Sequence, residues 1–86
     1  MIILTHRTFD KKFVKLLPKL REKFKERRDV FLENSAHPLL DNHALQGDRR
    51  GQWSINITGD WRALYEFRDE ETIVFVDIDT HSNLYG

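Results

Sequence analysis

The stretch WSINITGDWRALYEFRDEETIVFVDID, residues 53–79, decides the fold. Trp53, Ile55 and Ile57 alternate with Ser54, Asn56 and Thr58, and a period of two marks a half-buried strand. Thr58-Gly59-Asp60 reads as a turn. Trp61, Ala63, Tyr65 and Phe67 then share one face of a second strand, with Arg62, Leu64 and Glu66 on the other. Asp69-Glu70-Glu71 reads as a second turn. Ile73-Val74-Phe75-Val76 opens a third strand that runs to about Asp79, and its unbroken apolar run implies cover on both faces. Three strands joined by short turns make a meander of hairpins.

Upstream the period changes. Ile2-Ile3-Leu4-Thr5 is short, apolar and rich in β-branched residues, as a strand is. Phe9, Phe13, Leu16, Leu17 and Leu20 follow a helical period, with Thr8 as the expected cap and Lys11, Lys12, Lys15 and Lys19 off the apolar stripe. Pro18 restricts Leu17 away from helix and suits the first turn of a new one. Two helices are therefore expected, over about 8–16 and 18–34, the second turning Leu20, Phe24, Phe31 and Leu32 inward. Residues 35–51 read as a loop anchored by Leu39, Leu40 and Leu45. The order is β-α-α-β-β-β, an α+β fold read as one domain over 1–86. The helix pair must cover one face of the sheet, because it has no other apolar surface to bury against.

Eighty-six residues leave no room for a second domain. The absence of cysteine excludes disulfides and thiolate metal sites. No apolar run is long enough to span a bilayer, and MIILTHR lacks the apolar core of a secretory signal, so a cytoplasmic protein is expected. The formal net charge of zero speaks against a polyanion partner only until its distribution is read. Residues 1–28 carry ten Lys/Arg against three Asp/Glu, or +7, and residues 29–86 carry four against eleven, or −7. Such asymmetry marks either a polyanion-binding face or a helix that is Lys/Arg-rich for solubility.

Chemistry-bearing residues gather late in the chain. His43 and His81 flank the strands, and histidine is the side chain that exchanges protons near neutral pH. Arg62 stands mid-strand, where it either pairs with a carboxylate such as Glu66 or offers its planar fork to a phosphate. Asp60 precedes it in a turn, a position that Asp occupies in ordinary turns as well. Tyr85 is either a packing latch or a platform for a base. Arg49 and Arg50, with Lys11, Lys15, Lys19 and Lys23 of the helices, are candidate RNA contacts. His43, Asp60, Asp79 and His81 are metal-ligand types without a tight ligand spacing, so no metal site is assigned. With four glycines and no phosphate-cradling loop, no nucleotide cofactor is expected. His6 and His37 read as structural or surface residues.

Four segments carry a family resemblance: NHALQG (42–47), GQWSINI (51–57), DWRALY (60–65) and DIDTHSNLYG (77–86). Together with the element order they resemble the RelE/ParE superfamily of bacterial toxins from type II toxin–antitoxin modules, within it the YafQ-like branch. The resemblance implies a RelE-like fold, with the N-terminal strand added to the meander. It also implies a ribosome-dependent mRNA endonuclease that cuts the A-site codon without metal or cofactor, and a cognate antitoxin as partner. His43 and His81 match the two histidines of that pattern. Asp60 matches its acidic residue, Arg62 the strand arginine of RelE-like members, and Tyr85 the C-terminal aromatic. Asn56 stands where YafQ-like enzymes have a further histidine, and asparagine cannot exchange a proton near neutral pH. Two alternatives follow from the same resemblance: a ParE-like inhibitor of DNA gyrase that cuts nothing, or a toxin with weakened catalysis.

Overall fold

The alternating stretch forms two antiparallel strands, β3 (Trp53–Thr58) and β4 (Trp61–Phe67), and the apolar run becomes β5 (Thr72–Thr80). This computed structural model describes residues 1–85; Gly86, which closes the quoted C-terminal motif, lies outside the described residues. β1 (Ile2–Thr5) pairs parallel to β5, with Ile3 opposite Ile73. A two-residue strand, β2 (His43–Ala44), pairs antiparallel to β3 and completes a sheet of order β1-β5-β4-β3-β2. β2 was expected as loop. Two residues carry too little pattern to be read locally, and this strand exists only through its pairing with Trp53 and Ser54.

α1 (Arg7–Phe13) and α2 (Pro18–Glu33) cover one face of the sheet. Pro18 opens α2 as expected, its missing N–H lying where a helix has no partner to offer. α1 differs from expectation at both ends. Its cap is His6, whose Nδ1 accepts the Thr8 amide at 3.1 Å, and it stops at Phe13 rather than near residue 16. Val14–Leu16 turn the corner into α2, closed by the Arg21 guanidinium on the Leu16 carbonyl. His37 repeats the capping device, accepting the Leu39 amide at 3.0 Å ahead of a single turn at Pro38–Leu40.

Alternation sorts the strands into two faces. Toward the helices, Ile55, Ile57, Ala63, Tyr65, Ile73, Phe75 and Ile78 are buried with Phe9, Phe24, Phe31 and Leu40. Phe75 is the hub, with the rings of Phe9, Phe24, Phe31 and Tyr65 centred 5.1–6.4 Å away. Three residues expected on apolar faces or as anchors are exposed: Leu17 (76 %), which is extended ahead of Pro18 rather than helical, Leu32 (48 %) and Leu39 (52 %). Phe24 and Phe31 lie two turns apart on one stripe, and Leu32 is rotated about 100° off it. On the opposite face Leu45, Leu64 and Leu84 form a small buried cluster with half-buried Val76, so β5 is covered on both sides.

Candidate active site

Leu84 belongs to a short helix, α3 (His81–Tyr85), which the expected order β-α-α-β-β-β does not contain. Five residues do not hold a helix by propensity, so its supports are tertiary. The Thr80 hydroxyl accepts the Asn83 amide at 3.3 Å, and the His81 amide donates to the Asp60 carbonyl at 2.7 Å. Asp79 accepts from the Asn83 side chain at 2.8 Å and from Lys12 Nζ at 3.1 Å, while Lys12 also reaches Asp77 at 2.7 Å. At the other end Arg49 donates to the Leu84 carbonyl at 3.1 Å. Burial works against the Asp79 charge. The bonds from Asn83, the Thr80 amide and Lys12 outweigh it and hold the carboxyl below the usual carboxylate range. Burial likewise opposes the Lys12 charge, and the two aspartates more than restore it, raising its pKa.

β2 and the loop before it place His43. The Tyr65 hydroxyl donates to Asn42 Oδ1 at 2.8 Å, and Asn42 donates to the Ser35 carbonyl at 3.0 Å, so the core face pins this loop. Burial raises the Tyr65 pKa against that hydrogen bond. Asp41 sits in the left-handed region at φ 44°, a conformation that Asp tolerates better than most residues. Its carbonyl lies 2.7 Å from His43 Nδ1. A carbonyl can only accept, so Nδ1 carries a proton, and in the neutral ring the lone pair lies on Nε2.

His43, Arg62, His81 and Tyr85 line one cavity of about 340 Å³ with Asp41, Leu45 and Ser54. The His81 and Tyr85 rings lie 4.7 Å apart, one helical turn along α3. Arg62 Nη1 donates to the Gly59 and Trp61 carbonyls at 2.9 and 3.0 Å. No carboxylate among the described residues is within ion-pair distance of Arg62, and Glu66 instead accepts from Gln52. Beside it on β3 are two buried oxygens without partners, Ser54 Oγ and Asn56 Oδ1. Asn56 pairs across the ladder with Arg62.

Asp60 is exposed and does not line this cavity; its link to the site is the carbonyl that holds His81. Of the candidate RNA contacts, Arg49 is half-buried and spent on Leu84 and Gln52, whereas Arg50 is exposed. Lys11, Lys15 and Lys19 are exposed on the helix side of the sheet, opposite the cavity, and Lys23 lies 3.5 Å from Glu26. Among the described residues no group of three or more His, Asp or Glu is placed to hold a metal. No helix there is long and apolar enough to cross a membrane. Asp41 and Ser54 are the lining residues that sequence reasoning missed. Ser54 was signalled by the alternation that puts it on the Arg62 face; nothing local marked Asp41.

Comparison with known proteins agrees with this fold. The YoeB/ParE toxin from Agrobacterium tumefaciens superposes with a TM-score of 0.77 at 18 % identity, over 94 % of this chain and 99 % of that one. YafQ from E. coli strain BL21(DE3) gives 0.75 at 24 % identity, over 98 % and 97 %. The E. coli DinJ-YafQ complex gives 0.74 at 25 % identity, over 98 % and 97 %. No curated protein matches. The family described as ParE toxin of type II toxin-antitoxin system, parDE, matches residues 3–85. Fold, order of strands and family match converge, and the chain belongs to the ParE toxins within the RelE/ParE superfamily of type II toxin–antitoxin systems.

Proposed function

We propose that this toxin is a ribosome-dependent endoribonuclease that cuts mRNA in the A site by acid/base transesterification. One observation carries the reading: two imidazoles, a guanidinium without a carboxylate partner and an aromatic ring line a single cavity. The 2′-oxygen of a ribose forms a bond to the adjacent phosphorus while the bond to the 5′-oxygen breaks. His43 Nε2, freed by the Asp41 carbonyl, takes the 2′ proton. His81, as imidazolium, returns a proton to the 5′-oxygen. Arg62 offsets the charge that builds on the non-bridging oxygens, and Tyr85 stacks a base. The products are a 2′,3′-cyclic phosphate and a 5′-hydroxyl. Asp60 acts through its carbonyl, which fixes where His81 stands. Asn56 accepts or donates beside Arg62 and transfers no proton.

Lys11, Lys15, Lys19 and Lys23, with Arg50, supply phosphate contacts to ribosomal RNA, so binding weakens steeply with salt. A cognate antitoxin neutralises the protein, as the partnered state of the similar DinJ-YafQ pair suggests. The family match by a ParE name favours a second reading, inhibition of DNA gyrase without cleavage. Mapping cut ends on mRNA in programmed ribosomes, beside a gyrase supercoiling assay, separates the two. His81→Ala should lower cleavage roughly 10²–10⁴-fold. Supercoiling inhibited with the mRNA left intact would overturn the nuclease reading, and undiminished cleavage by His81→Ala would remove His81 from the chemistry.

A further inference from the structure

Three buried side-chain polar atoms have no hydrogen-bond partner among the described residues: Arg27 Nε, Ser54 Oγ and Asn56 Oδ1. Of these residues only Ser54 lines the cavity of His43, Arg62 and His81. Folding alone gives no reason for a hydroxyl at this position. Ser54 is fully buried, at 0 % exposure, and an alanine would fill nearly the same space without stranding a polar group. Its neighbours do not use it either. Across the ladder Ser54 stands opposite His43 on β2 and Leu64 on β4. Leu64 has no polar atom in its side chain, and the Nδ1 of His43 is engaged by the Asp41 carbonyl at 2.7 Å. A buried hydroxyl left unpaired is unfavourable, and that cost is recovered when a bound group pairs with it. Ser54 is thus a hydrogen-bonding group held ready on the wall of a cavity.

Resting on the nuclease reading, we infer that Ser54 is a substrate contact, its hydroxyl donating to the ribose 2′-oxygen whose proton His43 takes. Residues directly opposite each other on antiparallel strands have Cβ atoms about 4.5–5.5 Å apart, so His43 and Ser54 can address the same small group. A ribose 2′-hydroxyl fits between them because it both donates and accepts. It gives its proton to Nε2 of the neutral imidazole and accepts a hydrogen bond from Ser54. Asp41 and Leu45, the neighbouring lining residues, have no side-chain donor for that oxygen when Asp41 is ionised. Ser54 keeps its own proton throughout: the 2′-oxygen bonds to phosphorus, the bond to the 5′-oxygen breaks, and Ser54 only fixes where the nucleophile starts. A 2′-deoxyribose offers no acceptor and leaves the Ser54 hydroxyl stranded. The contact therefore tells RNA from DNA at the one nucleotide that must supply the nucleophile.

The test uses the full chain on ribosomes programmed with one A-site codon. In single turnover, Ser54→Ala should cut about tenfold more slowly than wild type, the loss of one hydrogen bond, while its denaturant melt stays unchanged. Binding is then read with His81→Ala, so that the ribose codon stays whole. Replacing ribose by 2′-deoxyribose at the nucleotide that supplies the 2′-oxygen should weaken binding about fivefold. In the double variant Ser54→Ala/His81→Ala the same replacement should make no difference. A merely structural role for Ser54, or a contact to the phosphate instead, leaves the deoxyribose penalty the same with and without Ser54, and either result overturns the assignment. An unchanged single-turnover rate in Ser54→Ala overturns it too, as does a weakened melt, which reveals a partner within the protein. In these cases the nuclease stands. Wild-type protein that cuts no mRNA at all overturns both.

Discussion

On the helix side of the sheet eleven buried residues form one cluster, five of them aromatic: Phe9, Phe24, Phe31, Tyr65 and Phe75. On the other side three leucines and a half-buried valine do the same work, and the surface around them opens into two cavities. Two buried polar oxygens, Ser54 Oγ and Asn56 Oδ1, lack partners on that open side. The same strands build both faces, residue by alternate residue. One side of each strand is spent on holding the sheet together, and the other is left under-packed and polar. A domain this small buries only about 60 % of its chain's surface, so it concentrates its apolar contacts on one face and leaves the second open.

Equivalent truncations on the two faces sharpen this contrast most. Phe75→Ala should cost about 3–5 kcal/mol and Leu84→Ala about 2 kcal/mol in denaturant-melt stability, since the small cluster around Leu84 relaxes more easily. Leu84→Ala should nonetheless lose the greater share of toxicity per unit of lost stability, because α3 carries His81 and Tyr85. Equal stability losses for the two variants break the comparison. A smaller effect, about 1 kcal/mol at neutral pH, is expected for Asp79→Asn, discounted for the part-exposed Lys12 partner. The folded Asp79 pKa lies below its ordinary 3.8, so its contribution is present above that value and lost as pH falls through the folded pKa. The gap between wild type and Asp79→Asn in pH-resolved melts should therefore close below about pH 3.8. A gap that does not narrow as pH falls below 3.8 removes the ion pair as its cause. The smallest effect is Ser54→Ala: deleting an unpartnered hydroxyl should change the melt by less than about 0.5 kcal/mol, or stabilise. A loss above 1 kcal/mol means that Ser54 has a partner in solution.

The helix-facing side was the more legible in the sequence. Period two over 53–67 and the apolar run at 73–76 located the three long strands, and Pro18 located the start of α2. Those signals are local and repeat along the chain. The open side is assembled from contacts between distant residues, which leave no local mark. α3 depends on Lys12, Arg49 and Asp60, and β2 on its pairing with β3. His43, Arg62, His81 and Tyr85 were named as candidates and share one cavity. Arg49 was legible as a cation on a loop, but not as the clamp on α3. Leu17, Leu32 and Leu39 misled because an apolar side chain near a stripe is not always on it.

The parallel pairing of β1 with β5 has a consequence in time. Thr72 follows Ile2 by 70 residues, and among the described residues the strand Thr72–Thr80 is the sheet neighbour of Ile2–Thr5. Between them the aromatic rings of α1 and α2 have no Phe75 to meet, so the nascent chain cannot close its core piecemeal. The sheet and the aromatic core therefore close in one step, once β5 has been made.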